Sequence, residues 1–145
     1  MSTGDTPQVA YSFDPDGNRL TMVDPTGTTS YTYDERDRPL SVTSPGSPSS
    51  NVVGYRYDLD GDRRATAYPD GTSVTATFDR ADRLTQLADW ANRHTTYGYF
   101  PDGLVQQVTN VATSTAAYAY DNARRPTQVS NQLGGAVISR HTYTL

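Results

Sequence analysis

The sequence lacks residues on which several protein classes depend: its 145 residues include no cysteine, no lysine and a single glutamate, Glu35. Without cysteine there is no disulfide framework, thiol nucleophile or thiolate metal site. Lysine and glutamate favour exposed helix faces, so their near absence excludes a helical bundle, a coiled coil and an ordinary doubly wound α/β enzyme. No apolar run approaches the roughly 18 residues of a membrane span. The first ten residues lack the charged and apolar regions of a secretory signal.

The residues that are present favour strands and turns. All 12 basic residues are arginine and 15 of the 16 acidic residues are aspartate, which gives a net charge of −4. This charge predicts no nucleic-acid partner and no bulk attraction to anionic lipid. Aspartate, glycine, proline, serine and threonine are turn formers, whereas the 11 tyrosines and three phenylalanines favour strands. The composition therefore indicates β-structure with many turns.

An aromatic-x-aromatic-Asp segment recurs along the chain. Its copies, some of them imperfect, start at Tyr11, Tyr31, Tyr55, Ala76, Tyr97, Tyr118 and His141. The steps between their fourth positions are 20, 24, 21, 21, 21 and 23 residues, which identifies a repeat. We expect an N-terminal tail over 1–7 and a repeat array over 8–145. The repeats are placed near 11–30, 31–54, 55–75, 76–96, 97–117 and 118–140, with a partial one at 141–145.

Each period contains two turns and two short runs. After the aspartate come a turn with glycine or aspartate, usually an arginine, and an alternating apolar run, as in DPDGNRLTMV over 14–23. A second turn, such as YPDGT over 68–72, precedes the next aromatic pair. Two runs of strand length joined by a turn make one β-hairpin. The sequence thus predicts an all-β array of consecutive antiparallel β-hairpins, with about 21 residues per repeat.

The motif resembles the YD repeat of RHS-repeat proteins, and the resemblance runs from about Gln8 to the C-terminus. The segments DPDGNRL over 14–20 and DERDRPL over 34–40, with the Pro-Asp-Gly of 69–71, match the family pattern closely. The resemblance implies one curved or spiralling sheet that forms a hollow shell, as in bacterial secreted toxins and related animal cell-surface proteins. It also implies a structural role, in which the shell encloses a toxic or folded segment or mediates adhesion.

The resemblance further implies partners and a location. The expected partners are other YD repeats, in cis in a longer chain or in trans by edge-strand pairing, and an enclosed polypeptide or glycan. A secreted or cell-surface location is suggested by the family alone. A complete shell needs more repeats than six, and no toxin domain follows Leu145. We therefore expect this chain to be one segment of a shell wall, without the polypeptide that the shell encloses. Asp24-Pro25-Thr26-Gly27 resembles the opening of the family's self-cleavage motif, but Thr28 follows, and we interpret it as an ordinary turn.

The motif residues are expected to be structural. Alternation along a strand places both rings of a pair on one face, where they can form aromatic ladders. The aspartate is expected to cap the turn, and an arginine four or five residues later to reach back to a carboxylate or to carbonyls, as in Asp14–Arg19, Asp34–Arg38, Asp58–Arg63 and Asp79–Arg83. The predicted structural set is Tyr11, Phe13, Asp14, Arg19, Tyr31, Tyr33, Asp34, Arg38, Tyr55, Tyr57, Asp58, Arg63, Phe78, Asp79, Arg83, Tyr97, Tyr99, Tyr118, Tyr120 and Asp121.

No catalytic, metal or cofactor site is predicted. His94 and His141 are the only histidines, and no nucleophile elbow, phosphate loop or zinc motif is present. The runs 14–18 and 58–62 imitate the start of a calcium loop, but arginine stands at the sixth position of both, where an EF-hand needs glycine. We therefore predict no enzyme activity and no cofactor.

Two local segments and two functions remain alternatives. Leu84, Leu87, Ala88 and Ala91 fall at helical spacing, but the repeat register makes 83–88 a strand and 89–93 its turn, and we favour the register. The polar insertion over 44–51 is expected to be a mobile loop. Besides the shell segment, the array could be a unit that forms fibres through its open sheet edges. It could also be a carbohydrate- or surface-binding module that uses exposed tyrosines and Trp90.

Overall fold

The computed structural model describes residues 8–46 and 51–144. Over these residues the protein is all-β and contains no helix. The chain divides into two compact units, residues 1–73 and 74–145. The predicted tail over 1–7 and part of the predicted mobile loop over 44–51 lie outside the described residues.

Each unit is a run of short strands in chain order. The strands of the first unit are β1 (Ala10–Phe13), β2 (Arg19–Asp24), β3 (Gly27–Tyr33), β4 (Pro39–Thr43), β5 (Val52–Tyr57) and β6 (Arg63–Ala67). Those of the second are β7 (Ser73–Phe78), which starts at the boundary, β8 (Leu84–Ala88), β9 (His94–Tyr99), β10 (Val105–Thr109), β11 (Ser114–Tyr120), β12 (Pro126–Leu133) and β13 (Ala136–Thr142). Within each unit every strand pairs antiparallel with the next. The predicted all-β array of consecutive hairpins is confirmed.

The segment with helical spacing is a hairpin. Leu84–Ala88 is strand β8, which pairs with β7 and β9. The N–H of Asp89 donates to the carbonyl of Arg93 at 3.1 Å, and Asn92 has a φ of 56°. A left-handed residue cannot continue a right-handed helix, so the turn over 89–93 ends the apolar run. The interpretation based on the repeat register is correct here.

Two kinds of turn alternate along the array. We call the turn that starts at the motif aspartate, or its equivalent, the YD turn, and the turn at the opposite hairpin end the distal turn. The fourth residue of each YD turn has a positive φ, between 54° and 107°, at Gly17, Asp37, Gly61, Asp82, Gly103 and Arg124. A type I turn followed by a left-handed residue is a common three-residue hairpin loop. Glycine and aspartate tolerate this backbone, which explains the DG and RD pairs of the sequence.

A β-bulge follows every YD turn. The pairing register shifts beside the second residue of the aromatic pair in each of the six YD hairpins. The pairing register therefore skips one residue of the second strand in each hairpin, namely Leu20, Leu40, Arg64, Thr85, Gln106 and Thr127. A bulge at the same place in each repeat disrupts the ladder locally and increases strand twist. It is a regular element of the repeat.

The two faces of the hairpins differ, and neither is a hydrophobic core. One face carries the aromatic pairs with apolar cross-strand neighbours, such as Tyr31 opposite Val42, and we call it the aromatic face. The other carries small polar residues, such as Thr32 and Ser41, whose hydroxyls are 2.7 Å apart, and we call it the polar face. No hydrophobic residue in the described part of the chain is buried. The hairpins are therefore stabilised by contacts between neighbours, as in repeat proteins generally.

The distal turn of the first repeat packs closely on the next repeat. Gly27 has a φ of 130°, and a Cβ at this position would lie 2.6 Å from Cβ of Pro45. Such a distance is shorter than any carbon–carbon contact in a packed interior. Gly27 is therefore required both by its backbone and by the neighbouring distal loop.

We expect Gly27→Ala to lower the free energy of unfolding by about 2–4 kcal/mol, because backbone strain and overpacking against Pro45 add. Gly17→Ala is the matched control, since Gly17 also has a positive φ, 92°, but no heavy atom within 4 Å of the added Cβ. Its cost should be about 1–2 kcal/mol. Denaturant unfolding measures both, and equal losses would contradict the contact with Pro45.

Candidate functional site

One aspartate closes five of the six YD turns. In the second repeat, Oδ1 of Asp34 accepts the backbone N–H groups of Arg36 at 2.9 Å and Arg38 at 3.0 Å. The N–H of Asp34 in turn donates to the carbonyl of Arg38 at 3.0 Å. The same side-chain bonds recur at Asp14, Asp58, Asp79 and Asp121, and at Asp89 in a distal turn. The carboxylate thus satisfies donors that the bent backbone leaves unpaired.

The second carboxylate oxygen holds an arginine in most turns. Nε of Arg38 donates to Oδ2 of Asp34 at 2.7 Å, as the sequence predicts. Nε of Arg83 donates to Oδ2 of Asp79 at 2.8 Å in the same way. The pairs Asp121–Arg125 and Asp89–Arg93 have the same form. Neither pair is among those predicted from the sequence, although the spacing of four residues that marks them is visible there.

Two predicted pairs are wrong. Asp58 pairs with Arg64 at 2.5 Å rather than with Arg63, and Asp14 pairs with Asn18 at 3.1 Å rather than with Arg19. The turn brings the fourth residue after the aspartate beside its carboxylate, and the fifth residue lies elsewhere. Arg19 and Arg63 are fifth residues, and their guanidinium groups lie over the rings of Tyr31 at 4.4 Å and Tyr55 at 5.5 Å.

The paired arginines also reach the next repeat. Nη1 of Arg38 donates to the carbonyl of Asp58 at 3.2 Å, and the guanidinium lies 4.5 Å from the centre of the Tyr57 ring. Arg83 contacts the equivalent carbonyl of Phe100 at 3.5 Å, and its guanidinium lies 4.7 Å from the Tyr99 ring centre. A single planar guanidinium thus contacts a carboxylate, a carbonyl and a ring. The point charge of lysine could not do this.

The second tyrosine of a pair bonds to the preceding repeat. The hydroxyl of Tyr33 donates to the carbonyl of Arg19 at 3.0 Å, that of Tyr99 to Leu84 at 2.7 Å, and that of Tyr120 to Val105 at 3.1 Å. Each acceptor is the residue immediately before a bulge, where the ladder is interrupted. The bulge and the tyrosine therefore form one inter-repeat contact.

The first residue of a pair lies opposite a smaller side chain. The residue opposite it on the neighbouring strand is Met22 for Tyr11, Val108 for Tyr97 and Val129 for Tyr118. Ring–ring contacts among the described residues are few: Tyr11–Phe13 at 6.4 Å and Phe100–Tyr120 at 6.2 Å. The expected aromatic ladder is largely replaced by arginine lying over the rings. Phe78 stands opposite Leu84, beside the bulge of its own hairpin.

The turn contacts stabilise the charged form of the aspartates. The guanidinium of Arg83 lowers the pKa of Asp79, and the backbone N–H and guanidinium of Arg125 lower the pKa of Asp121. Partial desolvation raises the pKa of Asp34, but the N–H groups of Arg38 and Arg36 and the Arg38 side chain outweigh it, so the net shift is downward. Hydrogen bonds to a carboxylate act in this direction generally. The turn contacts therefore favour the ionised form of these carboxylates.

The described ranges show no metal cluster. Across 8–46 and 51–144 there is no group of three or more His, Cys, Asp or Glu side chains that could hold a metal ion. His94 is hydrogen-bonded through Nδ1 to the amide of Gln86 on the polar face. In the part of the chain that the structure describes, no helix is long and apolar enough to cross a membrane.

The repeat geometry agrees with comparisons to known proteins. Residues 13–48 match the RHS repeat family model. This part of the chain resembles an RHS repeat. The resemblance to the RHS/YD-repeat family is thus confirmed over residues 13–48. No curated protein matches the chain.

Solved structures share the fold of this hairpin array. The crystal structure of TcdB2-TccC3-Cdc42 matches 88% of this chain with 16% identity and a TM-score of 0.75. TcdB2-TccC3 without its hypervariable C-terminal region matches 88% with 17% identity and a TM-score of 0.75. The Tc holotoxin pore of Photorhabdus luminescens matches 84% with 16% identity and a TM-score of 0.71. This chain spans about 7% of the length of each of those chains.

We expect Arg83→Lys to lower the melting temperature by about 3 °C, the shift typical of losing one partly exposed network in a chain of this size. The charge is kept, but the forked contact with Asp79 and the contact with the Tyr99 ring are lost. Arg56→Lys is the control, because Arg56 is exposed on the opposite face of its strand. Equal decreases in melting temperature in the two variants would show that the contact between the Arg83 guanidinium and the Asp79 carboxylate has no structural role.

Acid is expected to unfold the protein through these turns. The aspartates have pKa values below the ordinary 3.8 in the folded state, so their contribution is complete above about pH 4 and is lost as the pH falls below that value. Asp121→Asn should make the acid limb of stability shallower in circular-dichroism titrations. Asp16→Asn changes the net charge equally but removes no such turn bond, and it should keep the wild-type slope. An unchanged slope in Asp121→Asn would contradict the assignment.

Proposed function

We propose that this chain is a non-catalytic wall segment of an RHS-type β-shell, which serves to enclose a polypeptide or to contact a cell surface. The observation that carries the proposal is the absence of any buried hydrophobic residue over the described ranges. A self-contained domain hides an apolar interior. A wall of hairpins gains its stability from the repeats beside it. The contacts from arginine to the next repeat and from tyrosine to the preceding one are of this second kind.

The first strand supports continuation of the wall. Tyr31 and Tyr33 are partly buried beneath groups of the preceding hairpin, namely the Arg19 guanidinium and carbonyl. Tyr11 and Phe13, the equivalent pair in β1, are 51% and 58% exposed. The first described repeat therefore offers the same docking surface that interior repeats cover. Other YD repeats, in cis or in trans, are the partners that fit it.

The related structures suggest where such a wall acts. Their titles describe TcdB2-TccC3 with Cdc42 and a Tc holotoxin pore. By analogy we propose that this segment belongs to a secreted or extracellular assembly in which it lies beside other repeats. Enclosure of a polypeptide is the role that the family resemblance suggests. No observation on the described residues favours fibre formation or glycan binding over this role.

Neighbouring alanines provide a test of enclosure. Ala116 and Ala117 lie side by side on β11, Ala116 on the aromatic face with Tyr118 and Ala117 on the polar face opposite Gln107. Because the chain has no cysteine, Ala116→Cys and Ala117→Cys each provide one thiol. In a cysteine-free longer protein that carries this segment, a bulky maleimide should label one face at least about 10-fold faster than the other, since a closed wall hides its inner face.

The isolated 145-residue chain is the control. Both thiols are on small, partly exposed residues and should react there at similar rates. Similar rates in the longer protein as well would contradict enclosure, while leaving the assignment as an RHS repeat segment in place. A difference that appears only in the longer protein would support a shell.

A further inference from the structure

The YD turn of the fifth repeat replaces its ion pair with an apolar pair. Phe100 stands where most repeats have aspartate, and Leu104 stands where Arg38 or Arg83 makes the fork. The turn itself is unchanged: the N–H of Phe100 donates to Leu104 at 2.8 Å, and that of Gly103 donates to Phe100 at 2.9 Å. Oδ1 of Asp102 accepts the N–H of Leu104 at 3.2 Å and so replaces the missing motif carboxylate.

This substitution leaves an apolar notch in the YD-turn edge of the second unit. The notch has a volume of about 300 Å³ and is lined by Phe100, Pro101, Asp102, Leu104, Tyr120 and Asp121. The Phe100 ring meets the Tyr120 ring edge-on at 6.2 Å. The corresponding groove between the second and third YD turns is lined mainly by charged residues. The notch is at the small end of the range for ligand sites, so it suits one apolar side chain.

The chain also presents one apolar side chain suited to such a notch. Leu59 is 87% exposed, more than any other large hydrophobic residue in the described ranges. It stands at the second position of the third YD turn, between Asp58 and Asp60. The carbonyl of Leu59 accepts Nη1 of Arg36 at 2.6 Å, which fixes the turn while its side chain points into solvent.

One exposed charge stands beside each feature, and the two charges are opposite in sign. Arg125 is paired with Asp121 of the notch lining, whereas Arg124 is exposed beside the notch and donates through Nη2 to the carbonyl of Asp102 at 3.0 Å. Of the two aspartates beside Leu59, Asp58 is paired with Arg64 and Asp60 is exposed. A leucine that enters the notch therefore brings Asp60 towards Arg124.

We propose that the YD-turn edge is a self-association surface on which Leu59 of one copy inserts into the Phe100–Leu104 notch of a second copy. The contact is heterologous, because knob and notch are different parts of the chain. One side chain in a small notch makes a weak, transient interface. Its apolar centre supplies the affinity, and the Asp60–Arg124 pairing supplies the orientation.

Site-directed disulfide formation tests the contact directly, since the wild-type chain has no cysteine. Mixing Leu59→Cys with Pro101→Cys under mild oxidation should give the mixed disulfide at least about 10-fold faster than mixing Leu59→Cys with Glu35→Cys. Glu35 occupies the same position of the second YD turn and is likewise exposed, but the groove beside it is lined mainly by charged residues. Equal rates for the two mixtures would overturn the proposal.

A second variant removes the notch while restoring the usual turn. Phe100→Asp combined with Leu104→Arg recreates the pair that other repeats use, so the fold should be retained, as circular dichroism would verify. Because a leucine side chain is no longer buried on association, the self-association constant from sedimentation should fall about 10- to 100-fold. Leu59→Ser should produce the same loss, whereas Leu40→Ser, at a 40% exposed bulge residue, should not. Undiminished association in the double variant would contradict the notch as the site.

Discussion

The carboxylate of the YD-turn aspartate is the interaction that organises five of the six YD turns. One oxygen accepts the backbone N–H groups of the turn, and the other holds an arginine, as Asp34 does with Arg38. That arginine then contacts a carbonyl and a tyrosine ring of the next repeat. A single side chain therefore links the local turn to the packing between repeats. This dual role explains why the chain uses aspartate and arginine almost to the exclusion of glutamate and lysine.

The stability that results is distributed rather than central. Hydrophobic burial normally dominates folding, yet no hydrophobic residue of the described ranges is buried. Partly covered rings, guanidinium contacts and hydroxyl bonds such as Tyr33 to the Arg19 carbonyl take its place between repeats. Each of these contacts joins hairpins that are adjacent in the chain. The stability of such an array is approximately a sum of repeat and neighbour contributions, so the edges retain the unfilled contacts seen at Tyr11 and Phe13.

The period of the sequence predicts the strands and turns because both are local. The fork from Arg83 to Asp79 follows from a spacing of four within one turn. The contact of Asp58 with Arg64 is not predictable in this way, because it depends on Asp62 occupying the fourth position and on a bulge two residues later. The tyrosine hydroxyl bonds are also hidden in the sequence, since each joins residues 14 or 15 positions apart. Their acceptors are defined only once the register is known.

The fifth repeat separates the two roles of the aspartate. With Phe100 at the motif position, the turn still forms, because Asp102 takes over one N–H and Gly103 keeps its left-handed backbone. The turn therefore does not require the motif carboxylate. The link between repeats persists as well, but through the edge-on contact of Phe100 with Tyr120 instead of an ion pair. The repeat thus conserves contact between neighbours while its chemistry changes, and a change from charged to apolar chemistry at a turn gives one repeat a surface that the others lack.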